Sequence, residues 1–153
     1  DACASVLGEA LYYQDDFAMT MFGASCGDLT ADSNDIFEMN LPYLRSVSSD
    51  YDSQYDPHYG EVKYFTSEEV RQIIQDAYHL TLSDNPENWM QLIQGNGGYV
   101  REVNIDNQMT VRGDAFRYKF ELKSPKFTYI YAEPEEPEEE LAEAEELLPE
   151  EIP

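Results

Sequence analysis

The strongest folding signal in this sequence is one amphipathic segment, "TSEEVRQIIQDAYHL", at residues 66–80. Thr66 and Glu69 are spaced as in a capping box, in which each side chain bonds the other residue's backbone N–H at the start of a helix. The apolar residues that follow recur every three or four positions, as one face of a helix requires: Val70, Ile73, Ile74, Ala77 and Tyr78. The pattern predicts a helix with one buried face, so the rest of the fold has to supply an apolar surface that covers it.

The segments on both sides of this helix have the composition of strands. Residues 11–22, "LYYQDDFAMTMF", predict two strands around a turn, and "YVREVNI" followed by "MTVRG" predicts a hairpin turning at Asp106-Asn107. We also expect strands at "YKFEL" and "KFTYIY", a single helical turn at "DAFR", and a short second helix at "NPENWMQLI". The sequence therefore predicts an α+β fold of mainly antiparallel strands, with one clear helix and a long functional loop at residues 23–60.

Charge divides the chain into a body and a tail. Residues 133–153 hold 11 of the 32 acidic residues and no basic one, which leaves 21 acidic against 9 basic residues in 1–132, a formal charge of −12. Repulsion between the glutamates and four interrupting prolines predict that the tail is a linker or an acidic tail outside the core. The acidic body argues against nucleic acid and anionic membrane surfaces as partners, and no segment approaches the roughly 20 apolar residues of a membrane span.

The least ordinary stretch is "FGASCGD" at residues 22–28, where an aromatic run gives way to small residues. Small side chains allow a backbone or a ligand to approach closely, and glycine adopts backbone angles that other residues resist. Five such residues stand in succession: Gly23, Ala24, Ser25, Cys26 and Gly27. Two interpretations stay open, namely a ligand-facing turn in a binding groove and a tight corner kept for packing.

The candidate metal ligands do not have the spacing of known sites. Four possible zinc ligands lie 21 to 32 residues apart, without a close Cys or His pair: Cys3, Cys26, His58 and His79. We therefore expect no metal cofactor and two reduced thiols. Four acidic residues do not follow the order of an EF-hand loop and are interpreted as solvated carboxylates: Asp28, Asp32, Asp35 and Glu38.

Two further short motifs have simple structural explanations. The tripeptide "RGD" at 112–114 spells an integrin ligand, but a turn at the end of a strand explains Gly113 equally well. The stretch "GNGG" at 95–98 has no predicted strand before it and no helix after it, so we interpret it as a turn and not as a phosphate-binding loop.

The order of short motifs along residues 1–132 resembles that of a known family. The small-residue turn with Ser25, Gly27 and Thr30 is followed by "LPYLRSV" with Tyr43, by the helix start at Thr66, and then by "GDAFR" and "LKSPKF". In this succession the chain is similar to the stage II sporulation protein D family, which includes the amidase-enhancer proteins. The resemblance implies a partial domain of that family, incomplete at both ends.

The resemblance also implies a function, which is action on peptidoglycan glycan strands, of the lytic transglycosylase type, in the cell envelope outside the cytoplasm. Enzymes of the family are lytic transglycosylases that act in sporulation, during engulfment, and such cleavage needs a carboxylic acid to protonate the glycosidic oxygen. The family's catalytic glutamate lies in a segment upstream of "ACASVLG", so no catalytic residue is assigned in this chain. The four residues expected to bind substrate are Ser25, Gly27, Thr30 and Tyr43.

Three functions are compatible with these expectations. The first is the central part of a glycan-cleaving enzyme, and the second is a non-catalytic glycan-binding or amidase-enhancer module, with other cell-wall hydrolases as further partners. The third is an interaction protein that works through the acidic tail. The first two share the same groove and differ in whether a proton donor is present.

Overall fold

A computed structural model describes residues 2–37 and 39–133, without the side chains of residues 2 and 3. It confirms the α+β class, because helices and small antiparallel sheets occur together. The tail predicted from residue 133 lies, apart from Glu133, outside the described residues. The helices and strands are, in chain order, α1 (Ala2–Ser5), β1 (Tyr12–Tyr13), β2 (Asp16–Phe17), β3 (Asp28–Leu29), α2 (Ser33–Phe37), β4 (Ser48–Ser49), α3 (Asp52–Tyr55), α4 (Ser67–Tyr78), β5 (Met90–Gln94), β6 (Val100–Ile105), β7 (Met109–Arg112) and α5 (Gly113–Lys119).

The predicted amphipathic helix is α4, and it begins with the expected capping box. The Glu69 N–H donates to Thr66 Oγ1 over 3.2 Å, and the Thr66 N–H donates to Glu69 Oε2 over 2.7 Å. The helix ends at His79, which adopts a left-handed conformation with φ 58°. Val70 and Ile74, one turn apart, are buried, so α4 presents the predicted face to the core.

The surface that covers α4 comes from an antiparallel sheet with the strand order β5-β6-β7. The predicted hairpin between β6 and β7 is confirmed, and it turns at Asp106 and Asn107, whose φ angles are both positive, 47° and 54°, as in a type I′ turn. Along β6, Val103 and Ile105 alternate with less buried neighbours and are fully buried. Their alternation directs one face of the sheet to the core.

Aromatic side chains complete the core between α4, the sheet and α5. Trp89 is almost fully buried, and its indole N–H donates to the Ser83 carbonyl over 2.8 Å, so the buried polar group is satisfied. Phe116 and Phe120, one turn apart on and after α5, stack with ring centroids 4.7 Å apart. The buried apolar residues form one cluster: Val70, Ile74, Leu82, Trp89, Val100, Val103, Ile105, Phe116 and Phe120.

The predicted second helix at residues 85–93 is wrong. Pro86–Asn88 forms only one 3-10 turn, and the chain then continues as β5, paired with β6. The apolar residues of this stretch fit both a helical and an alternating pattern over so short a length. Pairing with β6 decides between them, because a strand here completes the backbone hydrogen bonds along one edge of β6, and a helix would leave those groups of β6 without partners.

The predicted strands after the hairpin are also wrong. The helix α5 extends over seven residues instead of one turn and includes the first part of "YKFEL". Its two buried rings, Phe116 and Phe120, fall at the helical spacing of four. The stretch "KFTYIY" forms no regular strand. Individual side chains attach this segment to the core; for example, the Tyr129 hydroxyl donates a hydrogen bond to the Met90 carbonyl.

The first half of the chain is more open than the second. The hairpin predicted within residues 11–22 is confirmed as β1 paired with β2, but residues 18–22, predicted as strand, form none. β3 pairs with β4 across the long loop. That loop, expected to be irregular, also contains the short helices α2 and α3. In the part of the chain that the structure describes, no helix has the length and apolar character needed to cross a membrane.

Candidate functional site

The small-residue turn leads directly into β3, and its backbone is unusual. Gly27 and Asp28 both have positive φ, 61° and 73°, so the chain turns sharply before it pairs with β4. Glycine adopts this conformation without strain, whereas an aspartate there is uncommon. Asp28 is therefore held by contacts of the turn with the rest of the chain.

The carboxylate of Asp52, at the start of α3, holds one side of this turn. Its Oδ2 accepts hydrogen bonds from the backbone N–H of Cys26 over 2.6 Å and of Gly27 over 2.7 Å. The Ser25 hydroxyl lies within hydrogen-bond reach of Asp52 and of Asp56. The bond from the Cys26 N–H lowers the pKa of Asp52, and the bond with Ser25 lowers the pKa of Asp56. Both carboxylates are consequently ionised at neutral pH.

Tyr99 and Lys126 hold the other side of the turn. The Tyr99 hydroxyl donates to the Cys26 carbonyl over 3.1 Å, and the Lys126 ammonium donates to the Gly27 carbonyl. The backbone N–H and C=O groups of Cys26 and Gly27 are therefore all used within the chain. A ligand at this surface would meet the carboxylates and their neighbours instead of the backbone amides of the turn.

Three exposed tyrosines lie beside these carboxylates. Tyr51 and Tyr55 are 67% and 77% exposed and are separated by one turn of α3, with ring centroids 6.5 Å apart. Tyr59 follows α3, and its hydroxyl donates to Asp28 Oδ2, which raises the pKa of the phenol. We call Tyr51, Tyr55 and Tyr59, together with Asp52 and Asp56, the tyrosine–aspartate surface.

The structure brings together two of the four residues that the sequence predicted to bind substrate. Ser25 and Gly27 both contact Asp52. The Thr30 hydroxyl accepts from the Val47 N–H over 2.9 Å and donates to the Arg45 carbonyl over 3.3 Å, so it joins β3 to the segment before β4.

Tyr43, the fourth predicted residue, packs against the first hairpin. Its ring lies 4.6 Å from that of Tyr13, between centroids, and its hydroxyl accepts from the Met19 N–H over 3.1 Å. No contact that the structure describes joins Tyr43 to Ser25, Gly27 or Thr30.

The stretch "GNGG" packs against Thr30 and Asp35, which agrees with its interpretation as a structural turn. The premise that no strand precedes it is wrong, because β5 ends at Gln94, directly before Gly95. A side chain at Gly97 would meet the Thr30 carbonyl at 2.7 Å, and Gly97 has φ 77°, so only glycine fits. A side chain at Gly95 would overlap the carboxylate of Asp35. The Asn96 N–H donates to that same carboxylate over 2.7 Å.

Two members of the predicted solvated acidic cluster are in fact buried. Asp32 forms a 3.2 Å ion pair with Arg45, and its pKa is lowered, first by the bond from the Asn34 N–H and also by the arginine. Asp35 is buried against residues 95–96. The prediction of solvated carboxylates is therefore wrong for these two, because the donors bonded to each carboxylate offset the cost of its burial. Glu38 lies outside the described residues.

Among the described residues, no three His, Cys, Asp or Glu side chains come close enough to hold a metal ion. Cys26 is a free thiol, and partial burial raises its pKa, with a further contribution from its bond to Asp52. A thiol with a raised pKa is a weak nucleophile at neutral pH. The side chain of Cys3 lies outside the described part.

Comparison with known protein families and with curated proteins gives no match for this chain. The resemblance to the stage II sporulation protein D family therefore stays a prediction.

Reasoning from the sequence missed the partners of the turn, which are Asp52, Tyr59, Tyr99 and Lys126. Each lies between 25 and 99 residues from the atom of the turn that it contacts. One sequence feature could have indicated some of these partners, namely the high content of Asp and Tyr in residues 50–59, "DYDSQYDPHY". That composition is uncommon for a plain connecting loop, but it does not say which carboxylate reaches the turn.

Proposed function

We propose that this chain binds peptidoglycan glycan strands, as the central part of a cell-wall protein of the stage II sporulation protein D type. The observation that carries the proposal is the tyrosine–aspartate surface, in which exposed aromatic rings lie beside ionised carboxylates. The order of sequence motifs supports the same family. A protein of this kind acts outside the cytoplasm, in the cell envelope, with other cell-wall hydrolases as further partners.

Sugar rings match this surface chemically. One face of a pyranose ring consists of C–H groups and packs on an aromatic ring, while its rim carries hydroxyl and amide N–H donors. Tyr51, directly before α3, and Tyr55, its last residue, supply two neighbouring rings. Asp52 and Asp56 supply charged acceptors, which form stronger hydrogen bonds than neutral ones. In strands freed of stem peptides, each N-acetylmuramic acid carries one lactyl carboxylate, so these strands are anionic. They carry one charge per disaccharide where nucleic acid carries one per nucleotide, so the acidic body repels them less than it repels nucleic acid.

The predicted binding residues have different roles in this proposal. Ser25 and Gly27 form the edge of the surface, because both contact Asp52. Thr30 supports them by joining β3 to the neighbouring segment. Tyr43 packs against Tyr13 of the first hairpin, and we assign it no contact with this surface.

The most direct test replaces Tyr55 by alanine and measures binding of glycan strands freed of stem peptides, by calorimetry or NMR titration. We expect affinity to fall roughly tenfold, because loss of one aromatic anchor is commonly worth that much or more. Tyr12→Ala is the matched control, since Tyr12 is similarly exposed (60%) and also has one aromatic neighbour, Phe17. Equal affinities of the two variants, or no binding by the unmodified chain, would contradict the proposal.

The alternative function is cleavage of the glycan, which requires a proton donor. Asp52 and Asp56 are poor candidates, because their lowered pKa keeps them ionised at neutral pH. We therefore predict that this chain alone releases no anhydro-muropeptides from glycan strands that lack stem peptides. Mass spectrometry of the digest measures them. Their appearance would assign the chain to the enzymes and show that another carboxyl group within it acts as the acid.

A further inference from the structure

A separate cavity of about 340 Å³ lies where three parts of the chain meet. Its walls come from the segment before α4, from Ile73 on α4, and from the end of α5. Cavities for drug-sized ligands typically measure about 300–1,000 Å³, so this one suits a small molecule or a single side group. It shares no residue with the tyrosine–aspartate surface.

The inner wall of the cavity is apolar. Phe65 and Phe120 meet edge to face with ring centroids 5.5 Å apart, and Ile73 lies beside them. Phe120 belongs to the buried core, whereas Phe65 remains 39% exposed. An apolar group that enters here would cover the exposed part of Phe65 and gain hydrophobic contact.

The rim of the cavity carries positive charge in an otherwise acidic chain. Two of the nine basic residues, Lys63 and Lys119, line it, together with Glu121. Lys63 is anchored, because its ammonium donates to the Glu121 carbonyl over 2.8 Å and lies 3.9 Å from the Glu121 carboxylate. Lys119 has no hydrogen bond or ion pair with any residue that the structure describes, so its ammonium can turn toward a ligand.

We propose that this cavity binds a small amphipathic carboxylate, meaning an aromatic or branched apolar group that bears a single negative charge. The apolar group would pack against Phe65 and Phe120, and the carboxylate would pair with Lys119. Two lysines and one glutamate give the rim a net charge of +1, which matches a monoanion. A dianion such as phosphate is less suitable, because the Glu121 carboxylate repels it more strongly than a monoanion. The described rim also has no arginine, whose guanidinium could bind phosphate with two parallel hydrogen bonds.

The first test compares three probes on the full chain by NMR titration. The probe 3-phenylpropanoate has both the ring and the charge, 3-phenylpropanamide has only the ring, and propanoate has only the charge. We expect saturable shifts at Phe65, Phe120 and Lys119, with 3-phenylpropanoate binding at least about fivefold more tightly than either control. Equal binding of the acid and the amide, or no saturable shift at these residues, would overturn the proposal.

The second test separates a specific contact from the general effect of charge. Lys119→Gln should weaken binding of 3-phenylpropanoate about fivefold, as expected for loss of one exposed ion pair. Lys123→Gln removes the same charge four residues further along, at an exposed position outside the cavity, and should leave the affinity unchanged. Equal weakening by both substitutions would show that only net charge matters. Because glycan binding is measured with other probes and other variants, each proposal can fail without the other.

Discussion

Replacement of Gly113 by alanine is expected to destabilise the fold strongly. The added Cβ would lie 2.7 Å from the Val100 carbonyl carbon and would overlap the oxygen bonded to it. Both are backbone atoms of the central strand β6 and cannot rotate away. The helix that begins at Gly113 cannot move either, because Phe116 and Phe120 fix it in the core. Such overpacking lowers the free energy of unfolding by on the order of 3 kcal/mol or more. A typical domain has a free energy of unfolding of only roughly 5–15 kcal/mol, so the loss is a large part of it.

Thermal unfolding followed by circular dichroism measures this effect. Gly23→Ala is the matched control, because its added Cβ would have only an ordinary contact, 3.7 Å from the Ser25 carbonyl oxygen. The control should melt within a few degrees of the unmodified chain. A Gly113→Ala variant as stable as the control would mean that β6 and α5 do not approach each other as described.

The same glycine shows what the "RGD" tripeptide is in this fold. Gly113 is buried at the junction of β7 and α5, and Asp114 forms a 2.8 Å ion pair with Arg117. The sequence predicted a turn at the end of a strand as one explanation of Gly113, and the chain does change there from strand to helix. What it could not predict was the close contact with Val100, thirteen residues earlier in the chain.

The elements predicted correctly are those whose signals are local. The capping box of α4 needs only Thr66 and Glu69, and the β6–β7 turn needs only Asp106 and Asn107. Residues 85–93, 118–122 and 126–131 were predicted wrongly, because their conformation depends on partners elsewhere. β5 is a strand since it pairs with β6, and "KFTYIY" has no neighbouring strand to pair with among the described residues.

In the candidate site, too, the sequence predicted the local feature and missed the contacts made by distant residues. The run of small residues at 23–27 indicated an unusual turn, and Gly27 does adopt a left-handed conformation there. The sequence left open whether the turn binds a ligand or is a tight corner. The structure shows a corner whose backbone groups are already bonded, next to a surface of exposed tyrosines that the glycine-rich pattern itself did not indicate. The contacts therefore support the tight corner, and the ligand-facing interpretation stays a prediction.

Asp52→Ala should loosen the turn at residues 25–28 and weaken glycan binding. The Asp52 carboxylate joins this turn to the segment of Tyr51 and Tyr55. Without it, the N–H groups of Cys26 and Gly27 lose their charged acceptor. We expect their amide proton resonances to move upfield, their exchange with solvent to become faster, and glycan affinity to fall roughly tenfold or more. Heteronuclear NMR and the binding assay measure these changes on the same sample.

Acid should reproduce this effect in the unmodified chain. Since the folded-state pKa of Asp52 is lowered, its contribution to stability is complete above the unfolded-state pKa of about 3.9 and is lost as the pH falls through the lower folded value. The amide proton resonances of Cys26 and Gly27 should therefore change their chemical shifts as the pH falls below about 4. In Asp52→Ala this pH-dependent step in chemical shift should be absent. Asp84→Ala removes an exposed carboxylate of equal charge away from the turn and should keep the step. If Asp52→Ala also kept it, another group would hold the turn, and the link between the corner and the tyrosines would not depend on Asp52.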